Sequence, residues 1–333
     1  MSKILVTGGA GYIGSHLVLA LLEKNEEVVV FDNFSTGHKE TLETLKKYGN
    51  LEYLEGDLLN PKDIKAVFEK YDISCVFHFA AFSQVAESVK NPRKYYQNNV
   101  IGTLNLLNTM LDFDVLKIVF SSTAATYGEP KYIPIDEFHP QNPINPYGQT
   151  KFMIEKILDD YDKAYGLKSV RLRYFNVIGA DKNSRIGEWH NPETHLVPNI
   201  LKSTFEKGRV FEMYGTDYDT KDGTCVRDYI NVEDLARAHI LALKYLQNGG
   251  KTDFFNLGTN EGMTVKEIFD MAEIVTGKKI EVKVMPKREG DPKSLVANNK
   301  KASEVLGWEF KNSLKDSIKS AYLWEAKLNE KKI

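Results

Sequence analysis

Short runs of apolar residues alternate with stretches of helical period along the first half of the chain. Lys3–Thr7 and residues 27–32, 51–57, 74–80, 117–122 and 169–175 are rich in β-branched and aromatic side chains and predict six strands. Between them, residues 13–23, a segment opening at Pro61, residues 92–111 and Pro146–Tyr165 carry apolar residues at helical spacing. Proline stands at the start of three of these segments, where its missing N–H costs nothing. Strands that are apolar throughout and alternate with helices imply a parallel sheet covered on both faces. The expected class is α/β, a doubly wound Rossmann-like fold with right-handed crossovers.

After Asn176 the rhythm changes. Gly, Asn, Asp, Thr and Pro crowd residues 179–198 and 215–223, and shorter elements follow. Residues 210–214, 254–257 and 280–285 read as strands, and 232–246, 265–275 and 314–327 as helices. The predicted division is residues 1–176 as one domain and 177–333 as a smaller α/β lobe, partly interleaved with the first. The cleft between them is the expected ligand site.

Composition narrows the function classes. In 333 residues, 42% are hydrophobic, enough for a sizeable core, and the net charge of −2 leaves no basic surface for nucleic acid. Lys327, Lys331 and Lys332 read as a solvated tail. Two isolated cysteines, Cys75 and Cys225, make no disulfide framework and suit a reducing compartment. The seven histidines are scattered without metal-type spacing, so no metal site is expected. No apolar stretch approaches the ~20 residues that span a bilayer, and the chain enters a strand at once, so a cytoplasmic location is expected.

The chemistry begins at Gly8, Gly11 and Gly14, a GxxGxxG turn between the first strand and first helix. Glycines there let the backbone approach a pyrophosphate, and the helix N-terminus offers free N–H groups. The second strand ends in Asp32, placed to accept hydrogen bonds from ribose hydroxyls and to repel a 2′-phosphate. Together they point to NAD rather than NADP. Asp57 and Leu58, ending the third strand, would reach the adenine by the same logic. At the other end, Tyr147 and Lys151 lie four apart at the start of a helix and share one face. An ammonium and a nicotinamide cation would both favour the phenolate that a base requires. Thr123 closes the preceding strand, where doubly wound folds put ligands, and its hydroxyl is placed to bond a reacting hydroxyl.

These segments, with Asn33, His78-Phe79-Ala80-Ala81, Tyr95-Tyr96-Gln97-Asn98-Asn99, Arg173-Tyr174-Phe175-Asn176, Asp222-Gly223-Thr224-Cys225-Val226-Arg227-Asp228 and Arg288-Glu289-Gly290-Asp291, resemble the UDP-glucose 4-epimerase family of the extended short-chain dehydrogenase/reductases. The resemblance runs over nearly the whole chain. It implies that Tyr147 takes the proton of the C4 hydroxyl of a UDP-hexose while C4 gives a hydride to NAD. The 4-keto sugar then turns over, and the hydride returns to its other face. Lys151 would also hold the nicotinamide ribose, and Thr123 stands where the family usually has serine. It implies a cofactor lying along Tyr12, Ile13, Asn33, Ser35, Leu58, Phe79, Ala80, Ala81 and Ser83, with Asn98 and Phe175 on the nicotinamide side. Asn176, Leu196, Tyr214, Arg227, Arg288 and Asp291 would hold the uridine diphosphate. It further implies a homodimer built on residues 92–111 and Pro146–Tyr165.

Two positions depart from the family. Ser83 replaces a lysine that helps hold the cofactor pyrophosphate in many members. Leu295 stands where a tyrosine restricts the enzyme to UDP-glucose and UDP-galactose, so N-acetylated sugars are expected to enter as well. Three other readings remain open: a 4,6-dehydratase, a UDP-glucuronate decarboxylase, and a non-catalytic NAD-sensing regulator. Against the first, Ala124-Ala125 follow Thr123 where dehydratases carry an Asp-Glu pair.

Overall fold

The computed structural model describes residues 2–288 and 292–330; Asp291, with Lys331 and Lys332, lies outside the described residues. The strands are β1 Lys3–Thr7, β2 Val28–Asp32, β3 Leu51–Glu55, β4 Ile73–His78, β5 Lys117–Thr123 and β6 Lys168–Tyr174. Then follow β7 Asn176–Ile178, β8 Phe211–Tyr214, β9 Val226–Asn231, β10 Asp253–Leu257, β11 Gly262–Thr264, β12 Val282–Met285 and β13 Ser294–Leu295. Seven of them form one parallel sheet in the order β3-β2-β1-β4-β5-β6-β10. The order reverses direction at β1/β4, so the carboxyl ends on either side of that point open a crevice.

The apolar runs become strands because both faces of this sheet are covered. Val6, Val28, Val30, Phe77 and Leu172 pack on one side against the helices Tyr12–Leu22 and Val232–Gln247. Leu5, Val29, Phe31, Ile118 and Phe120 pack on the other against the helices Pro61–Lys70, Gly102–Asp112 and Pro146–Tyr165. A four-stranded sheet of β7, β9, β11 and β13 and the pair β8/β12 build the second lobe around Val197, Ile200, Phe211, Ile268 and Phe269.

Two expectations are corrected in detail. The strand predicted at 254–257 belongs not to the smaller lobe but to the edge of the main sheet, paired with β6. Its apolar pattern fits either sheet, and only the packing of Phe255 and Leu257 into the main core decides. The helix Val232–Gln247, which follows β9 of the second lobe, likewise packs on the main sheet. The unbroken helix predicted over 92–111 is in fact Pro92–Tyr95, a π-turn over Tyr96–Ile101, and Gly102–Asp112. Apolar periodicity does not register one extra residue in a turn, yet such turns concentrate at functional positions.

Candidate active site

Every predicted site residue that the structure describes lines one cleft of about 1400 Å³, between the carboxyl edge of the main sheet and the second lobe. The strand ends supply it in sequence: Gly8 after β1, Asp32 ending β2, Asp57 and Leu58 after β3, Phe79, Ala80 and Ala81 after β4, Thr123 ending β5, Phe175 and Asn176 after β6.

At one end lies the glycine turn. Gly8 adopts φ +74°, and a Cβ there would come within 2.6 Å of the Ala80 backbone nitrogen. A Cβ on Gly14 would lie 2.3 Å from the Gly8 oxygen. Both glycines are therefore required by the protein's own packing. Gly11 is different: a Cβ would meet only the Gly8 oxygen, at 3.4 Å, an ordinary contact. The space it leaves open faces the cleft at the N-terminus of the helix Tyr12–Leu22, beside Tyr12 and Ile13. That is a cradle for a phosphate. Asp32 accepts the N–H of Ala10 at 2.9 Å and of Phe34 at 2.8 Å, which ties the turn to β2. Burial raises its carboxyl above the usual range, and the same two N–H groups oppose the shift. Asn33 donates to Asp57 at 3.1 Å, joining the two strand ends beside Ser35 and Leu58. The residues fit a dinucleotide with a free 2′-hydroxyl.

At the other end, Asn145 caps the helix Pro146–Tyr165 by accepting the Gly148 N–H at 2.8 Å. The cap fixes the first turn, which carries Tyr147, and the second, which carries Lys151. Lys151 is buried and donates to the Ser121 carbonyl at 2.7 Å, its ammonium over the Phe120 ring. Burial holds its pKa down to about 7, with Glu155 opposing. Burial also pushes the Tyr147 phenol up to about 12, and the Thr123 hydroxyl is the neighbour that lowers it. Of the two charges expected to favour the phenolate, the Lys151 ammonium does not lower the phenol among the protein's own atoms. It is spent on a backbone carbonyl, and desolvation dominates both groups.

Asn98 projects from the π-turn into the cleft and donates to Asn99 at 3.0 Å. Asn99 in turn holds the loop carrying Ser83, through the Phe82 N–H and carbonyl. Leu295 packs with Phe175 against Ala124, Tyr127 and Ile135. In β13 it is in register with Arg227 of β9, so the apolar wall and the arginine are neighbours by strand pairing. Tyr214 ends β8 beneath the Arg288 guanidinium, 4.0 Å from its ring centroid. Leu196 opens the helix Leu196–Lys202.

The sequence did not single out several groups. Glu155, four residues past Lys151, receives Ser122 Oγ at 2.5 Å and Arg173 Nε at 2.9 Å, a buried ion pair behind the helix that carries Tyr147 and Lys151. The four-residue spacing from Lys151 was the available signal. Glu188, His190, Glu193 and His195 also line the cleft, with one donor atom from each within 4.8 Å of the others. Histidines counted over the whole chain look scattered; these two fall within six residues.

The chain matches the family model described as GDP-mannose 4,6 dehydratase over residues 5–321. It is 51% identical to a UDP-glucose 4-epimerase of Halalkalibacterium halodurans over 96% of this chain and 95% of that protein. Its fold matches the crystal structure of UDP-glucose 4-epimerase from Brucella ovis in complex with NAD (44% identity, TM-score 0.91, 97% and 98% of the two chains). It also matches a UDP-Glc/GlcNAc 4-epimerase from Campylobacter jejuni (41% identity, TM-score 0.86, 98% and 100%).

Proposed function

Since the chain belongs to the UDP-glucose 4-epimerases of the extended short-chain dehydrogenase/reductase superfamily, we propose that this cleft inverts C4 of a UDP-hexose with Tyr147 as the base. The enzyme is an NAD-dependent isomerase. NAD, when bound, supplies the acceptor and donor of the C4 hydride.

The chain's own residues divide the remaining work. Gly11, the helix N-terminus behind it and Asp32 hold the cofactor. Tyr147 Oη removes the C4 hydroxyl proton and returns it. Burial pushes the phenol up to about 12 among protein atoms alone, and a positive charge beside it, as an oxidised nicotinamide would bring, would favour the phenolate that a base requires. Thr123 bonds the same hydroxyl, and Lys151 holds the nicotinamide ribose and the edge of β5. Tyr214, Arg227 and Arg288 grip the uridine diphosphate; the planar forks of the two arginines suit phosphate oxygens. The observation that carries the reading is the convergence of Tyr147, Lys151 and Thr123 opposite the glycine turn in one cleft. Ala124 and Ala125 line the same cleft, so no acid–base pair stands where a 4,6-dehydratase needs one.

Leu295 supports a broader substrate range. An apolar side chain without a hydroxyl, backed by Phe175, leaves room where a tyrosine ring would stand. UDP-N-acetylglucosamine and UDP-N-acetylgalactosamine are then substrates too. The test is pure protein incubated separately with UDP-galactose and UDP-N-acetylgalactosamine, products resolved by chromatography. Conversion of both supports the whole reading. Conversion of UDP-galactose alone removes the N-acetyl substrates, and conversion of neither, with NAD supplied, removes the epimerase assignment.

A homodimer through the helical stretch of residues 92–112 and the helix Pro146–Tyr165 accounts for the exposed Ile101 and Tyr165 on them. Light scattering giving a monomer mass would overturn it. Ser83 is exposed and leaves the cofactor pyrophosphate without a lysine, so weaker NAD retention on dilution and dialysis is expected than in members that have it.

A further inference from the structure

Glu188 and Glu193 are carboxylates whose side chains are almost fully buried, 7% and 2% exposed. Neither is paired with a lysine or arginine among the described residues; their ion-pair partners are His190 and His195. His195 Nδ1 lies 2.8 Å from Glu188 Oε1 and 3.0 Å from Glu193 Oε1. His190 Nδ1 lies 3.2 Å from Glu188 Oε1 and 3.9 Å from Glu193 Oε2. Two imidazoles and two carboxylates from a span of eight residues thus lie together, one donor atom from each within 4.8 Å of the others.

We propose that Glu188, His190, Glu193 and His195 form a divalent-cation site in the wall of the cleft, with zinc as the ion its donors fit best. Four-coordinate zinc with bonds of about 2.0–2.2 Å sets neighbouring donor atoms about 3.3–3.6 Å apart, and the spacings here bracket that range. Charge agrees: one divalent ion neutralises both carboxylates while the imidazoles bind uncharged.

The loop is held from behind, as metal ligands need. Trp324 donates to the Glu188 carbonyl at 2.9 Å. The Trp189 ring stacks on His38 at 3.8 Å, and His38 Nε2 pairs with the Trp189 carbonyl at 2.8 Å. Glu193 Oε1 accepts the N–H groups of Thr194 and His195, both at 2.8 Å. His195, about half exposed, leaves one side of the cluster open toward the cleft. The ion closes the loop that leads into Leu196 and fixes the substrate wall.

The test uses the full chain without a histidine tag, stripped with a chelator and titrated calorimetrically with ZnCl₂. In parallel, cobalt replaces zinc and its visible spectrum is read. One zinc per chain and the intense visible bands of tetrahedral cobalt are expected. His190→Ala removes a direct ligand, so its affinity falls by more than the roughly 10–100-fold that losing a second-sphere partner costs. Wild-type protein that takes up no stoichiometric zinc, or that gives only the pale spectrum of six-coordinate cobalt, overturns the proposal. So does a folded His190→Ala or Glu193→Gln variant that binds zinc as tightly as wild type. These readouts need no turnover, so the result stands apart from the epimerase reading.

Discussion

Tyr147 and Lys151 are moved by burial in opposite directions, the phenol up to about 12 and the ammonium down to about 7. Both shifts favour the neutral form, which is what a low-dielectric wall does to any isolated charge. The protein alone therefore does not hold a phenolate; it holds a phenol that a positive charge in the cleft can ionise. Tyr147→Phe removes the proton acceptor and leaves the cavity shape. Its kcat is expected to fall about 10²–10⁴-fold while calorimetry shows UDP still bound. A fall below tenfold would give the base role to another group. Leu295→Tyr tests the opposite wall. The ratio of kcat/KM for UDP-galactose over UDP-N-acetylgalactosamine should rise by about 10–200-fold, the range that one small change in pocket volume supplies. An unchanged ratio would move the gate elsewhere.

At the scale of the element, the placing of Tyr147 and Lys151 depends on how the helix Pro146–Tyr165 begins. Asn145 accepts the Gly148 N–H and Pro146 fills the first helical position, so Tyr147 enters the cleft at a fixed angle. Asn145→Ala removes that acceptor and is expected to cost about 1 kcal/mol, read as a shift of the urea midpoint. This start was legible in the sequence, because proline at the first helical position is a local signal. So was the glycine turn, where the two glycines that packing requires and the one that leaves the cleft open share a three-residue spacing. The π-turn over Tyr96–Ile101 was not legible, since it adds one residue without disturbing the apolar face that Leu106, Leu107 and Met110 present to the core. Nor was the partnership of β10 with β6. Phe255 and Leu257 would suit either sheet, and the choice is made by contacts remote in sequence. The cluster at 188–195 escaped for a related reason. Its histidines look scattered when counted over the whole chain, and only the fold buries the carboxylates between them.

The whole molecule carries three histidines that burial keeps neutral. His78 is lowered to about 3, and His16 and His239 to about 4. His78 sits between the Thr7 and Thr103 hydroxyls, and His16 and His239 rest on helix carbonyls. In the unfolded chain each takes a proton near pH 6.5; in the folded one it does not until far lower. Their contribution to stability is thus fully present above about pH 6.5 and is lost as pH falls toward 3. Each titrating group adds a slope of up to about 1.4 kcal/mol per pH unit, so the three together give up to about 4. Urea unfolding at pH 6.5 and pH 5 should show a clearly lower midpoint at pH 5. Equal midpoints would mean that these rings are solvated or already charged.

The route of the chain between the lobes has a mechanical consequence. The backbone passes from one lobe to the other after Tyr174, at Asn231, after Leu257, after Leu295 and after Leu306, before the helix Leu314–Glu330 closes on the second lobe. A fragment ending at 176 would strip β10 from β6 and expose a long apolar strand edge, a template for aggregation. The two halves are laced rather than hinged. Opening the cleft like a book would strain several crossings at once.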